Sequence, residues 1–515
     1  MCRARPSAAN LVAGLIGALG ALVALAAAAP REAIATNGAR PFTAGAKAAG
    51  RGGAEVAVSD DALAVANPAG IAFVQGFRAD AGLGLIFSRA RYKNDLNDDL
   101  EEGLSVIPAI GILFDPLGPP EPGPEGAAAD APWLPDSSPV RIGLQFFAPF
   151  GGGGDLMFRT ALFPDGVDEN VEFTVLAVAP TIAFRPIDNL SIGASVYLQY
   201  LTVDLEQPAG SGTSQSGQVF VHNVGPTPQP LDPPLTFSDL FAAAGTADAN
   251  SGAIVDFDDA HAFGIGASFG ILWQPIPELS LGAAYTTQGF FQKVKGDARV
   301  DATRSIQSLN ANPSFASLTG FLFNAFLPNG GSRGFISEYD LEFEFVTPDV
   351  ISIGAAYRPT PRIMIALDLR YIGWGRAFDS QKVELTGGTN EDLNAINGGT
   401  SIEKDNEQNW DDQYVVAVGF AYLVHGVDWL ALRCGYNYGS NPIPDESISP
   451  TNSGFLEHHV TLGAGVYIDR FDLDVAYIYA FQSEKTIEGS QSTEFNGVRV
   501  RAEQHMLYFG VGVRF

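Results

Sequence analysis

Short stretches with alternating apolar and small or polar residues recur along most of this chain. Between His261 and Trp273, Phe263, Ile265, Phe269, Ile271 and Trp273 share one face, and Gly264, Gly266, Ser268 and Gly270 the other. Ile363, Ile365, Leu367, Leu369 and Tyr371 alternate with Met364, Ala366, Asp368 and Arg370. Near the end, Leu507, Phe509, Val511, Val513 and Phe515 alternate with Tyr508, Gly510, Gly512 and Arg514. A period of two with one apolar face is the mark of a half-buried strand. Fourteen such strands are predicted, at 73–92, 103–114, 139–150, 171–185, 190–206, 259–274, 279–300, 339–358, 362–378, 412–424, 428–440, 457–469, 471–486 and 499–515.

The connections decide which way the apolar faces turn. Some are tight, such as Arg185–Asn189, Gln274–Glu278 and Arg358–Arg362. Others are long and polar, near 207–258, 301–338, 379–411, 441–456 and 487–498. A soluble sandwich turns its apolar face inward on short loops. Alternation of short and long connections instead fits a membrane barrel, with turns in the periplasm, loops outside and apolar residues toward lipid. The expected fold is all-β, a transmembrane antiparallel β-barrel of about fourteen strands, although the Pro-rich link 115–138 is long for a periplasmic turn.

The start of the chain reads as an address. Arg3 and Arg5 precede an apolar run from Leu11 to Ala29, and Ala33-Ile34-Ala35 is a small-x-small site. That order is a secretory signal peptide over residues 1–35. The run is nearly long enough to span a bilayer, but its Ala and Gly content favours a cleaved leader.

Composition narrows the function. The 515 residues carry 30 Lys+Arg against 58 Asp+Glu, a net charge of −28. Such a charge repels phosphate and argues against a nucleic-acid partner. Cys2 falls in the leader, leaving Cys434 without a disulfide partner. Signals for chemistry are weak. Gly264–Gly270 lies within a strand with no helix after it, unlike a nucleotide loop. Gly151–Gly154 with Asp155 suggests a flexible turn rather than a phosphate cradle. His458 and His459 are adjacent, so on a strand they face opposite ways and cannot share a metal. No enzyme, cofactor or metal is expected; a lipase-like barrel using one Ser and one His is the enzymatic alternative.

Fourteen strands enclose a lumen that needs a filling, and residues 36–72 precede the barrel expected at 73–515. That segment carries Thr36-Asn-Gly-Ala-Arg40, Gly50-Arg-Gly-Gly-Ala54, Val58–Ala62 and then Asn67-Pro-Ala-Gly70. Further on come Phe147-Ala-Pro-Phe-Gly151, Pro348–Pro359, Ala366-Leu-Asp368, Gly373-Trp374, Asn409–Tyr414, Leu432-Arg433, Gly435-Tyr436 and Asn441–Pro444. In this order the pieces resemble the FadL/TodX family of outer-membrane transporters for long-chain fatty acids and other hydrophobic compounds. The resemblance implies a fourteen-stranded barrel plugged by an N-terminal hatch, with Asn67, Pro68, Ala69 and Gly70 as the hatch motif. It also implies a lateral opening at a bend in the third strand, here near Phe147, Pro149, Phe150 and Gly151.

The outer loops offer apolar landing surfaces. Leu318, Phe321, Leu322, Ala325 and Phe326 fall on one helical face, and Phe237, Leu240 and Phe241 form a shorter one. They form a candidate ligand groove, or else they pack together and order the loops. Loop 207–258 contains Asp232, Asp239, Asp248, Asp256 and Asp258 without a Lys or Arg, so its mouth disfavours an anion. Arg370 and Arg433 project into the lumen as candidate partners for a ligand carboxylate; alternatively they pair with Asp368, Asp472, Asp474, Asp60 or Asp61. The expected function is passive transport of fatty acids or similar hydrophobic small molecules through a barrel embedded in outer-membrane lipid. The alternatives are uptake of neutral aromatic or alkane hydrocarbons, a solute porin, or an adhesive barrel.

Overall fold

A computed structural model describes residues 37–74, 76–116, 139–159, 163–208, 220–221, 229–230, 253–304, 307, 324–448, 454–489 and 495–514. The expected leader, most of the 115–138 link, and Phe237, Leu240, Phe241, Leu318, Phe321 and Leu322 lie outside the described residues.

One antiparallel sheet contains the wall, and its first strand pairs with its last, closing fourteen strands into a barrel. They are β1 (Arg78–Lys93), β2 (Asp98–Phe114), β3 (Val140–Phe158), β4 (Val167–Ile187), β5 (Leu190–Pro208) and β6 (Ile254–Ile276). β7 joins Leu279–Thr286, Gly289–Phe291 and Val294–Asp301; β8 joins Ile336–Phe343, Val346–Thr347 and Val350–Thr360. β9 joins Ile363–Ile372 and Ser380–Thr386, and β10 joins Ile402–Glu407 and Gln413–Leu423. β11 (Leu430–Gly439), β12 (His458–Ile468), β13 (Phe471–Thr486) and β14 (Arg499–Arg514) complete it. Closure gives each strand a neighbour on both sides, which hydrocarbon demands because it cannot hydrogen-bond a free sheet edge. Among the described residues no helix is long and apolar enough to cross a membrane.

The alternation places side chains as the period requires. Phe263 is 61% and Leu462 64% exposed, on an outer apolar belt, while Ser268 and Ala366 face inward and are buried. Tyr–His pairs mark the belt's upper edge: the Tyr436 hydroxyl lies 2.6 Å from His458 Nδ1, and that of Tyr477 lies 2.6 Å from His505 Nδ1. His458 faces out and His459 is fully buried.

Three local expectations are corrected. The first strand begins at Arg78, because Pro68–Phe73 coil into a 3₁₀ turn capped by the Asn67 side chain. Gly151–Asp155 is no turn: it continues β3 and pairs with Thr174–Asn170 of β4. Gly153 has φ +152°, a conformation that glycine tolerates, and a side chain there would strike the backbone of Val171. The polar stretch 379–411 is mostly structured, since Ser380–Thr386 and Ile402–Glu407 pair into an outer extension of the wall. Between them helix α1 (Glu391–Asn397) is capped by Asn390, and its buried Asp392 accepts from the backbone N–H groups of Asn329 and Gly331. Phe326, from the expected groove, is partly buried just before the fully buried Leu327 in the segment that Asp392 holds.

Candidate functional site: the lumenal segment and the gap in the wall

Residues 37–74 fill the lower lumen. The Asn67 side chain accepts from the Ala69 N–H (3.0 Å) and donates to the carbonyls of Val56 (2.8 Å) and Ile271 (3.1 Å). One residue thus shapes the turn, ties it to a second part of the segment and fixes both to β6. Ser191 on β5 donates to the Ala69 carbonyl at 2.9 Å. Glycine on the wall makes this approach feasible, because a side chain on Gly270 would collide with Asn67. Pro68, Ala69 and Gly70 are buried in the same turn.

Charged groups hold the segment on the side of β9 and β11–β14. Lys47 reaches Asp472 at 2.9 Å, and Asp472 also takes Arg78 (2.7 Å) and Arg514 (3.0 Å). Asp368 accepts from the backbone N–H groups of Glu55 and Val56. Arg370 donates to the Gly53 carbonyl (2.6 Å) and pairs with Asp368 (3.1 Å) and Glu55 (3.5 Å). Arg433 pairs with Asp474 at 2.8 Å. Both arginines are therefore lumenal, buried and already matched by carboxylates. Asn437 and Thr461 complete the contact through the backbone of Gly50 and Gly52.

Within the segment, burial would raise Asp60, but Arg51 at 2.6 Å and then Lys47 outweigh it and hold the carboxyl well below its usual range. Burial, and then the like charges of Asp60 and Asp80, push Asp61 up to about 7. Burial also raises Glu55, against the opposing pull of Arg370.

On the β2–β3 side the wall itself opens. β2 pairs with β1 along Asp98–Leu113, but with β3 only along Ala109–Phe114. β3 carries an irregularity between Phe147, opposite Ala177, and Phe150, opposite Val175: three steps on one strand match two on the other. Pro149 sits in that bulge and has no N–H to offer a ladder. Above it β3 follows β4 and leaves β2, and the two rejoin at the top, where Asn97 bonds the backbone of Arg159 and Arg159 pairs with Asp99 at 2.7 Å. The result is a window between Asp98–Pro108 and the upper half of β3. In hydrocarbon each unsatisfied backbone group costs several kcal/mol, so a break in the ladder is a costly feature to retain. The lumenal segment reaches its inner side, where the Gly151 N–H donates to the Ala39 carbonyl at 2.9 Å.

A cavity of about 40 Å³ lies behind this bend, lined by Arg40, Phe42, Thr43 and Glu55 of the segment, by Phe147–Phe150, and by Tyr197, Gln199 and Arg370 of the wall. It is far below the roughly 150 Å³ that holds a benzene. Above it the lumen is aromatic. Phe378 stacks on Trp410 (4.8 Å) and meets Trp374, Phe345 and Phe173 at 5.5 Å, 6.0 Å and 6.4 Å, while Phe150 meets Trp374 at 6.0 Å. Sequence reasoning gave no role to Asn97, Arg159, Glu55 or this cluster. Parity could have placed Trp374 near the lumen, but Trp410 has the parity of the outward-facing Tyr414, and the tie between Asn97 and Arg159 joins residues far apart in the chain and leaves no periodic signal. Among the described residues no group of three or more His, Cys, Asp or Glu is placed to hold a metal.

Known structures share this architecture. The Pseudomonas putida toluene transporter TodX matches with a TM-score of 0.65 at 17% identity, covering 93% of this chain and 100% of that one. A Pseudomonas aeruginosa FadL homologue matches at 0.64 and 16%, covering 93% and 100%. The Ralstonia pickettii toluene transporter TbuX matches at 0.60 and 16%, covering 92% and 99%. No curated protein sequence matches the chain. The family model of outer membrane protein transport proteins (OMPP1/FadL/TodX) matches residues 21–515. With a closed barrel behind that match, the chain belongs to the OMPP1/FadL/TodX family of outer-membrane transport proteins.

Proposed function

We propose that this outer-membrane barrel takes up hydrophobic small molecules without an energy source, passing them from the upper lumen through the β2–β3 window into the lipid. Residues 37–74 act as the hatch. The observation that carries the reading is the window, framed by the Pro149 bulge below and the Asn97–Arg159 tie above, with the hatch bonded to its inner edge at Gly151. Moving an apolar molecule from water into the lumen and then into lipid is downhill by about 0.8 kcal/mol per buried CH₂. Lateral exit spares the cargo a polar periplasmic route. The cavity behind the bend is too small for any such cargo, so passage requires the hatch to yield.

Long-chain fatty acids fit this route, but neutral aromatic hydrocarbons fit the lumen better. The Phe173, Phe345, Phe378, Trp374 and Trp410 rings suit a flat apolar molecule. Arg370 and Arg433, the candidate carboxylate partners, already have Asp368, Glu55 and Asp474 beside them. TodX and TbuX, which share the fold, are toluene transporters. The test is uptake of radiolabelled toluene and oleate by a Gram-negative host lacking its own transporter of this family, with surface expression confirmed. Toluene uptake well above oleate uptake supports the neutral reading, and the reverse order restores the fatty-acid one. Uptake of neither, from a folded surface barrel, rejects hydrophobe transport.

A further inference from the structure

The outward face of the wall is not uniform above the apolar belt. On β1, Arg89, Arg91 and Lys93 point outward, alternating with buried Ala90 and Tyr92. On β14, Arg499 and Arg501 do the same, alternating with buried Val500 and Ala502. The register sets Arg91 directly opposite Arg501 and Lys93 directly opposite Arg499. Like charges facing each other across a ladder are destabilising. Arg89 is matched by Glu102 (2.8 Å) and Glu503 (3.7 Å), but above it the carboxylates only half compensate: Asp98 is shared by Arg91 (2.8 Å) and Lys93 (3.0 Å), and Glu484 by Arg501 (2.6 Å) and Arg499 (3.4 Å). Four cations thus share two carboxylates on a chain whose net charge is −28. Each of the four remains about half exposed, with donors left for another acceptor. The far wall has the opposite balance: Glu338, Asp340, Glu403, Asp405 and Glu407 are all exposed, with Lys293, Lys295, Arg299 and Lys382 among them already paired to carboxylates.

We propose that this face of β13, β14 and β1 docks the phosphate groups of the outer leaflet's glycolipid, lipopolysaccharide. Height supports this source. Tyr477, Tyr479 and His505 cluster at the upper edge of the belt, the level at which aromatic residues meet lipid headgroups. Arg501 lies four residues beyond His505 on β14, roughly 13 Å along the strand and about 9 Å in height at a barrel's tilt. The surface is continuous with the lipid-facing belt below it, so a bound glycolipid keeps its acyl chains on the wall while its phosphates bridge the opposed cations. Arginine favours phosphate through paired N–H donors. Because β1 adjoins β2, the docked lipid stands beside the strand that frames the window.

The test uses the purified full barrel in detergent, titrated with bisphosphorylated lipid A and with its dephosphorylated form, and bound lipids are counted by native mass spectrometry. The phosphorylated form is expected to be retained preferentially by the wild type. The Arg91→Gln/Arg499→Gln/Arg501→Gln variant is expected to bind it about tenfold or more weakly. A Lys295→Gln/Lys382→Gln variant on the far wall should bind as the wild type does. Equal retention of the two lipids by the wild type would overturn the proposal whether or not any variant folds. So would unchanged binding by a folded triple variant.

Discussion

The hatch has two unlike faces. Toward β9 and β11–β14 it is bolted by buried charge: Lys47 on Asp472, Arg370 on Gly53 and Glu55, and Asp368 on two backbone N–H groups. Toward β3–β5 the hydrogen bonds seen among the described residues are mostly neutral. They include Gly151 to Ala39 and Ser191 to Ala69 at 2.9 Å, with long contacts from Gln145 to Ala62 and Tyr197 to Val65 at 3.4 Å, and Arg185 of β4 lies over the Phe73 ring at 5.7 Å. Removing one partner of a buried ion pair costs about 3–5 kcal/mol, whereas a neutral hydrogen bond contributes roughly 1 kcal/mol. The window lies on the weak side. In the proposed hatch role, a segment held this way would release at the wall opening while its far face stays anchored, letting cargo pass without loss of the plug.

The largest expected effect comes from breaking the strong face. Asp472→Ala removes the carboxylate shared by Lys47, Arg78 and Arg514, leaving Arg78 with Asp80 and Lys47 with the Asp60 carbonyl, and should destabilise the docked hatch by about 3 kcal/mol, seen as faster hydrogen exchange over residues 45–63 and steady ion conductance in planar bilayers. Asn67→Ala removes three hydrogen bonds at the pivot between the faces. It should cost about 1–3 kcal/mol, measured by exchange at Val56 and Ala69. A third test is pH. Asp61 is raised from 3.8 to about 7, so its stabilising contribution is complete below pH 3.8 and is lost as pH rises through about 7. Hatch protection should therefore fall progressively from about pH 4 to about pH 7 and level off above it, and Asp61→Asn should remove most of that dependence. Asp60 shifts the other way, and its contribution persists across this range. The smallest effect belongs to the weak face: Tyr197→Phe should change protection by less than about 1 kcal/mol. An effect as large as that of Asp472→Ala would erase the distinction between the faces.

The barrel was legible because period two survives in most strands and because tight and long connections alternate. Parity alone put Arg370 and Arg433 in the lumen, where they are found. The motif residues were legible only through resemblance: nothing in the spacing of Asn67-Pro68-Ala69 says that Asn67 bonds Val56 and Ile271 at once. Gly151–Asp155 was misread because a glycine run has the composition of a turn. Its neighbour β4 supplies the ladder that keeps it extended, and a ladder is a tertiary fact. The outer extension on β9 and β10 was missed for a related reason. Its strands are polar on their solvent face and look like loop until their pairing is seen.

Lateral exit of cargo through the β2–β3 window is the proposal to test first. The bulge at Pro149 contains one residue more than its partner strand, so deleting Pro149 alone restores an even count and lets β3 run on beside β2. Uptake of radiolabelled cargo by cells with this variant folded at the surface is the most direct measurement. If cargo leaves laterally, uptake falls to the level of cells without the barrel; uptake equal to that of the unaltered protein would rule lateral exit out.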